Sequence, residues 1–178
     1  MKTSTSPPSR LFLAVEEAFA RMKWSGRQVP GREVLEADFE THHTRVRLHV
    51  QAFPEIQAVS VATTLGHTVP ASRMGIVSEL LMRSNLELTI GAFELDYDAG
   101  RVMFRASNVF PEHIIPTAII GSLVHSALAE TDRLTPFLTL ILRMPPEELG
   151  RVNMKLFIQR EDLLPPVPDT DDGPSLLP

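Results

Sequence analysis

The 178-residue chain contains no cysteine, only one tryptophan and only one tyrosine. Without cysteine there is no disulfide framework, no zinc–thiolate site, no iron–sulfur cluster and no thiol nucleophile. No apolar run approaches the roughly 20 residues that span a bilayer, so we expect no membrane segment. The polar, proline-containing residues 1–10 lack the basic and apolar regions of a signal peptide. These absences predict a soluble, cytoplasmic protein.

An excess of positive charge is also missing. The chain has 17 Lys and Arg residues against 22 Asp and Glu residues, a formal net charge of −5. All 17 basic residues lie at or before Arg160 and five acids lie after it, so residues 1–160 are formally neutral. A neutral body lacks the basic surface that binds a phosphate backbone, which argues against a nucleic-acid partner. It also lacks the charge repulsion that keeps identical chains apart.

The composition is that of one folded domain with two unstructured ends. Hydrophobic residues make up 43% of the chain, which is enough for one core at the usual size of about 150 residues per domain. We expect a disordered lead over residues 1–8, a single domain over residues 9–160 and a disordered tail over residues 161–178. This acidic tail holds five of the 15 prolines. It serves either for solubility or for docking to a partner.

Two alternating segments predict a charged hairpin. Residues 35–40 and 45–52 alternate apolar with charged or polar side chains on either side of a turn at residues 41–44. The resulting register places acids opposite bases on one face and leaves the other face apolar. A slip by one residue would invert one strand and destroy both faces. The predicted opposite pairs are Glu36 with His49, Asp38 with Arg47, and Glu40 with Arg45.

The remaining periodicity predicts an α+β fold. Further strands are expected at residues 58–65, 88–95 and 101–107, and helices at residues 9–26, 68–85 and 116–131, with another helix start at Pro145. The order α-βββ-α-ββ-α(α) predicts a five-stranded antiparallel sheet with helices on one face. A change of alternation beside Gly91 predicts a β-bulge. Pro136 either kinks the third helix or opens a new one. Residues 152–158 fit a helix, which we favour, or a strand.

Titratable side chains form no metal or catalytic pattern that we recognise. The six histidines include no pair at the i, i+4 spacing of a helical metal site, and His42-His43 is interpreted as a solvated turn. The turn at residues 96–100 lacks the ligands of a calcium loop and is predicted to be a β-turn. Glu94 and Asp96 share a strand face and would suit acid–base chemistry, unless Glu94 pairs with Arg105 across the hairpin.

A distinctive motif runs through the second hairpin. It consists of Asn85, then Gly91-Ala92-Phe93-Glu94-Leu95-Asp96, an acidic turn ending at Gly100, and a strand that reaches Arg105. This motif resembles the signature of the bacterial YbjN-type domain family. Asp132-Arg133-Leu134-Thr135-Pro136 is similar to the family's Asp-Arg-Tyr-x-Pro segment, with Leu134 in place of tyrosine. The order of elements from Glu33 to Leu149 matches as well.

The resemblance implies a fold similar to that of type III secretion chaperones, which commonly dimerise. It also implies a regulatory or chaperone-like role in binding proteins, and it brings no catalytic residues and no cofactor. The residues that match the motif are therefore interpreted as fold determinants. They are Asn85, Gly91, Phe93, Glu94, Asp96, Gly100 and Arg105.

We therefore expect a non-enzymatic protein-interaction module. It would be a homodimer that binds an unidentified protein client, with no cofactor, metal, nucleic acid or membrane. The alternative is a small-ligand-binding protein or enzyme that uses Glu94, Asp96 and Arg105 around a pocket. Residues 137–142 are apolar around most of a helix, so one side must meet either the core or a partner. The predicted interface residues are Leu123, Phe137, Leu138 and Ile141.

Overall fold

Six antiparallel strands form one sheet in the computed structural model, which describes residues 7–164. The strands are β1 (Arg27–Gln28), β2 (Val34–Glu40), β3 (Arg45–Phe53), β4 (Ala58–Thr68), β5 (Ala92–Asp96) and β6 (Arg101–Val109). Their spatial order is β1-β2-β3-β4-β6-β5. The α+β class and the antiparallel sheet are confirmed. The prediction of five strands is wrong, because β1 adds a sixth, and a strand of two residues carries no periodic signal.

Helices cover one face of this sheet. They are α1 (Arg10–Arg21), α2 (Met74–Leu86), α3 (Thr117–Arg143), α4 (Pro146–Leu149) and α5 (Met154–Phe157), with 3-10 turns at Pro54–Ile56, Ala71–Arg73 and Glu161–Leu163. The helices α1 and α3 pack on the sheet and on each other, and α2 lies against β5. On β3, Val46, Leu48 and Val50 are fully buried under these helices, whereas the residues between them are exposed.

The charged hairpin has the register that the sequence predicts. Glu36 pairs with His49, Asp38 with Arg47, and Glu40 with Arg45. Ionic contacts follow the same pattern on the open face, with Asp38 lying 3.4 Å from Arg47 and 3.6 Å from Arg45. The apolar face of the same strands belongs to the core.

The first helix starts where predicted and ends earlier. The Ser9 hydroxyl accepts a hydrogen bond from the Phe12 N–H and therefore caps the helix. The helix ends at Arg21 rather than at Gly26, because Lys23 adopts a positive φ of 56°. The Trp24 N–H then donates to the Phe19 carbonyl oxygen, and the two rings pack edge to face at 5.4 Å. A hydrogen bond and an apolar contact of this kind form a Schellman ending with lysine in the usual position of glycine.

Two boundaries around the second helix differ from the predictions. The strand β4 continues to Thr68, which pairs with Arg101, so helical structure begins only at Ala71 and not at Thr68. The strand β5 begins at Ala92, and Gly91 precedes it with a φ of 81°. The predicted bulge at Gly91 is therefore wrong. The irregular pairing lies between β4 and β6 instead, between residues 64 and 68.

Of the two alternatives at Pro136, the structure shows no new helix opening there, because α3 continues through the proline and so extends beyond residue 131. The 27-residue helix runs through the proline to Arg143, although Pro136 has no N–H for the carbonyl one turn earlier. Beside the proline, the Thr135 hydroxyl donates to the Thr131 carbonyl oxygen at 2.8 Å. The Thr131 hydroxyl bonds the Thr63 hydroxyl of β4. This buried contact and the surrounding core hold the proline-containing turn on the sheet.

The C-terminal elements are short. A helix begins at Pro146, as the sequence indicates, and residues 154–157 form a helix rather than a strand, as we favoured. The first residues of the expected tail form the 3-10 turn Glu161–Leu163, which contacts α3. The rest of the expected tail, from residue 165 on, and residues 1–6 of the expected lead lie outside the described residues.

Candidate functional site

The motif around the second hairpin is built on a side-chain clamp. Asn85, in the last turn of α2, bonds both backbone groups of Phe93 on the edge strand β5. The Phe93 N–H donates to Asn85 Oδ1 at 2.7 Å, and Asn85 Nδ2 donates to the Phe93 carbonyl oxygen at 3.1 Å. The Asn85 side-chain amide therefore makes the two hydrogen bonds that a neighbouring strand would make to Phe93, and it joins α2 to the sheet.

Two glycines of the motif have backbone conformations that other residues rarely adopt. Gly91 has a φ of 81°, and a Cβ there would lie 2.5 Å from the Phe104 ring. Gly100 has a φ of 65°, and a Cβ there would collide with the Val69 carbonyl oxygen. The Val69 N–H donates to the Gly100 carbonyl oxygen at 2.7 Å, so the hairpin turn touches the chain that leads into α2. Both positions need glycine for this fold.

The acidic turn is a β-turn held by its own first residue, as predicted. Asp96 accepts hydrogen bonds from the N–H groups of Asp98 and Ala99 and from Arg101, at 3.1, 2.9 and 3.1 Å. The bond from the Ala99 N–H, followed by the one from Arg101, lowers the pKa of Asp96. The carboxylate is thus occupied by the turn and its neighbouring strand.

The candidate acid–base group Glu94 is paired with Arg105. Arg105 donates to both carboxylate oxygens at 2.8 and 3.0 Å on the open face of the sheet. Both side chains are about two-fifths exposed. The hydrogen bond to Glu94 raises the pKa of Arg105. Glu94 and Asp96 therefore each bond an arginine of β6, and the geometry favours the structural interpretation of Glu94 over general acid–base catalysis.

Asp132 joins α3 to the tip of the β2–β3 hairpin, a contact that local sequence patterns do not predict. It lies on α3, is 5% exposed, and accepts hydrogen bonds at the tip of the β2–β3 hairpin from the Thr41 hydroxyl at 2.6 Å and the His43 N–H at 2.7 Å. Burial acts to raise the pKa of Asp132, but these bonds and the nearby His43 outweigh burial and lower it. The two residues of the contact are 89 positions apart, so no local pattern predicts it. The sequence signal for Asp132 is its place in the Asp132–Pro136 segment that resembles the family's motif.

The same contact corrects the interpretation of His42-His43 as a solvated turn. His42 is exposed, but His43 is partly buried with its Nδ1 3.4 Å from the Asp132 carboxylate. A hairpin tip that folds back onto a helix shields one of its two adjacent side chains. The sequence places both in a turn and does not show that the turn is covered.

The structure places the predicted interface residues in the core of the single chain. Leu123, Phe137, Leu138 and Ile141 are at most 4% exposed. Phe137 packs edge to face on Phe157 of α5, at 5.6 Å between ring centroids. The apolar helix around residue 137 therefore meets the core, which was one of the two possibilities. A second copy would have to contact other residues.

Three exposed apolar side chains lie on α2 or in the loop that follows it, and we call them the α2 patch: Met82, Leu86 and Ile90. These side chains are 64%, 84% and 49% exposed. Met82 and Leu86 lie one turn apart on the outer face of α2, and Ile90 lies in the loop that follows. Single exposed apolar side chains are ordinary, whereas contiguous apolar patches are common at contact surfaces.

Among the cavities away from the hairpin motif, one lies beside α3 and one beside β2. One, of about 330 Å³, separates α1 from the start of α3 and has Met22, Gly121 and His125 in its walls. The other, of about 490 Å³, lies at the outer edge of β2, beside Arg27, Glu36 and Asp38. Within residues 7–164, no cluster of His, Asp and Glu has the arrangement of a metal site. No helix in that range is long and apolar enough to cross a membrane.

Solved structures that resemble this chain include a putative transcription regulator and chains from protein complexes. A chain of the ExsC–ExsE complex matches with a TM-score of 0.53 and 12% identity, over 76% of this chain and 96% of that chain. YbjN from E. coli, described as "a putative transcription regulator", matches with a TM-score of 0.52 and 9% identity, over 78% and 92%. A chain of the HopA1–SchA chaperone–effector complex matches with a TM-score of 0.44 and 12% identity, over 70% and 94%.

No curated protein matches the chain. The comparison with family models, in contrast, finds a family that agrees with the fold. The model of the YbjN family, described as "Putative bacterial sensory transduction regulator", matches residues 14–139. This range contains the whole sheet, the Asn85 clamp and the Asp132 contact. The chain therefore belongs to the YbjN family.

Proposed function

We propose that this protein is a non-enzymatic, chaperone-like or regulatory module that works in the cytoplasm as a homodimer and binds a protein client. The description of the family as a regulator supports this role. Further support comes from the ExsC–ExsE complex, in which a chain of similar fold occurs in an assembly. The candidate catalytic groups Glu94, Asp96 and Arg105 are engaged in ion pairs on the sheet surface, which fits a binding protein.

The α2 patch is the observation that carries the proposal. Its three side chains would leave water if a second copy packed against the same surface, and a two-fold axis would bury the patch of both copies at once. Apolar burial stabilises by about 25 cal/mol per Å². The Glu79–Arg83 ion pair on the same helix, at 2.8 Å, carries no net charge that would repel a second copy. The formally neutral body acts in the same direction.

Light scattering coupled to size-exclusion chromatography tests the dimer. We expect the wild-type chain to elute with the mass of two copies. The double change Met82→Glu with Leu86→Glu places charges in the interface and should yield a folded monomer. Ile56→Glu is the matched control, because Ile56 is also 64% exposed but lies in the turn between β3 and β4. A monomeric wild type would contradict the proposed dimer, and a double variant that stays dimeric would contradict the α2 patch as its interface.

Affinity purification from the native cell tests the client. We expect one recurrent protein, recovered in stoichiometric amount by mass spectrometry, with the intact chain. The same purification with a chain that lacks residues 161–178 shows whether the acidic tail takes part in docking. Recovery of no stoichiometric partner under conditions where the protein is expressed would contradict the binding role.

A further inference from the structure

The two edges of the sheet are protected to different extents. At the β5 edge, the Asn85 side chain occupies the outward N–H and C=O groups of Phe93. At the opposite edge, the two-residue β1 covers β2 only along Leu35 and Glu36, and the Val29 N–H reaches the Val34 carbonyl oxygen. The rest of β2 extends beyond the end of β1.

The hydrogen-bond phase of β2 shows which backbone groups point outward there. The Ala52 N–H donates to the Glu33 carbonyl oxygen, and the Thr41 N–H donates to the Thr44 carbonyl oxygen. Odd-numbered residues of β2 thus bond β3, and in an antiparallel ladder the alternate residues face the other way. The N–H and C=O groups of Asp38 and Glu40 therefore face outward, and no strand within residues 7–164 pairs with them on that side. Unpaired edge groups of this kind template the addition of a strand.

The side chains at this edge define the chemistry of an incoming strand. Arg27 of β1 bonds Glu36 at 2.9 Å across the covered part of the edge. Asp38 and Glu40 lie on the same face as Glu36, and we call these three residues the acidic row. The arginine nitrogens nearest to Asp38 and Glu40, all on β3, lie 3.4 to 3.6 Å away. The cavity of about 490 Å³ opens beside Asp38. In a strand that extends β1, the side chains on this face would lie beside these acids, where basic side chains are favoured over acidic ones.

The other face of the same edge favours apolar side chains. Phe39 lies between Asp38 and Glu40 and points to the helix-covered face, where Trp24 packs on it edge to face at 5.6 Å. Side chains of an added strand alternate between the two faces. An incoming segment therefore fits best when basic and apolar residues alternate.

A second copy of β2 does not fit this edge. If two β2 strands paired antiparallel about Asp38, each acid of the row would face an acid of the other copy, and like charges directly opposite destabilise a sheet. The acidic row thus acts against self-pairing and favours a basic partner.

We propose that the outer edge of β2 at Asp38 and Glu40 binds an extended segment of a partner protein in which Lys or Arg alternates with apolar residues. The segment adds to the sheet as a strand, and its basic side chains pair with the acidic row. This inference rests on the proposed protein-binding function and names the surface and the chemistry of the client segment.

A synthetic peptide that alternates lysine and valine is the probe. We expect it to bind the full-length protein in a fluorescence anisotropy titration and to slow hydrogen exchange at the amides of Asp38 and Glu40. A peptide with glutamate in place of each lysine should bind at least about tenfold more weakly, because its charges face the acidic row. Equal binding of the two peptides, or protection of amides on β5 or α2 instead, would overturn the proposal.

The variants separate backbone pairing from charge only by comparison, because Asp38→Pro removes both the outward N–H and a carboxylate, whereas Asp38→Asn with Glu40→Gln removes charge alone. Asp38→Pro removes the outward N–H without breaking a bond to β3, as edge prolines do, and should weaken binding about tenfold. Asp38→Asn with Glu40→Gln keeps every backbone group. It should weaken binding of the lysine peptide but not of the glutamate peptide. Glu55→Gln, an exposed acid in a turn, is the charge control and should change nothing. Unchanged affinity in a folded Asp38→Pro protein would reject strand addition at this edge.

The two proposals fail in distinguishable ways. If the peptide does not bind the β2 edge but a native partner still co-purifies, the assignment of this edge is wrong and the binding function stands. If no native partner co-purifies, the proposed function fails, whatever the peptide does.

Discussion

Several single side chains in this protein replace backbone contacts. Asn85 bonds both backbone groups of Phe93, and Asp132 accepts hydrogen bonds from the His43 N–H and the Thr41 hydroxyl at a hairpin tip. Arg73 acts similarly, since it donates to the carbonyl oxygens of Ile141 and Met144 at the end of α3, at 3.0 and 2.5 Å. Each contact satisfies polar groups that no regular element satisfies, so its loss leaves partly buried donors or acceptors unpaired.

Asn85→Ala should lower the free energy of unfolding by about 1–3 kcal/mol, because it leaves the N–H and C=O groups of Phe93 without partners. Urea unfolding monitored by circular dichroism measures the change. Asn108→Ala is the control, since Asn108 bonds only the neighbouring Val109 carbonyl oxygen, and should cost less than about 0.5 kcal/mol. Equal losses in the two variants would show that the clamp does not stabilise the fold.

At the scale of elements, the hairpins and their turns fix how the helices approach the sheet. The turn between β5 and β6 touches the chain before α2 through Gly100 and Val69. The tip between β2 and β3 touches α3 through Asp132. The second half of α2 packs beside β5 and leaves the α2 patch exposed. The positions of the α2 patch and of the Asp132 contact therefore depend on turn geometry.

Two glycines should respond in opposite directions to substitution by alanine. Gly100→Ala should destabilise by about 1–3 kcal/mol, because φ is positive and the new Cβ meets the Val69 carbonyl oxygen. Gly75→Ala, in the first turn of α2 with open space around it, should stabilise by about 0.5–1 kcal/mol. Thermal unfolding of both variants checks the pair. Stabilisation by Gly100→Ala would contradict the turn geometry described above.

At the scale of the whole molecule, the apolar core and the charged surface have different roles. Residues on the helix-covered face of the sheet and on α1 and α3 form one contiguous core. Ion pairs cover the open face, and they are exposed enough that each contributes little to stability. Apolar burial therefore holds the fold together, and the charged face specifies register and contact chemistry.

The Asp132 contact should make global stability depend on pH. Its pKa in the folded protein lies below that of an unperturbed aspartate, so the unfolded chain binds a proton more readily. The contribution is fully present above the unfolded pKa and is lost as pH falls through the folded pKa. We expect Asp132→Asn to lower stability at pH 7 and to flatten the decline below about pH 4. Urea unfolding across this range tests it, with Asp98→Asn as control. A decline of unchanged steepness would contradict it.

Much of the secondary structure could be predicted because its signals are local. Alternation over a few residues specified both strands and the register of the first hairpin, since a slip would expose apolar side chains. The Ser9 cap and the acidic turn were predictable from neighbouring residues. The strand β1 and the early end of α1 were not, because a two-residue strand has no periodic signal and α1 ends at a positive φ on Lys23, a residue that does not mark a helix end. The choice between the two alternatives at Pro136 depended on a contact between residues 63 and 131, which are far apart in the chain.

The sequence by itself determined the α+β class, the charged hairpin, the absence of thiol chemistry and the resemblance that led to the family. Only the tertiary structure decided that Leu123, Phe137, Leu138 and Ile141 are core residues and that Met82, Leu86 and Ile90 are exposed. It also decided that Asn85 bonds the outward backbone groups of Phe93 at one sheet edge, while no strand in the described part of the chain pairs with the outward groups of Asp38 and Glu40 at the other. The physical reason is that periodicity shows which side chains share a face, whereas exposure depends on which other element packs against that face.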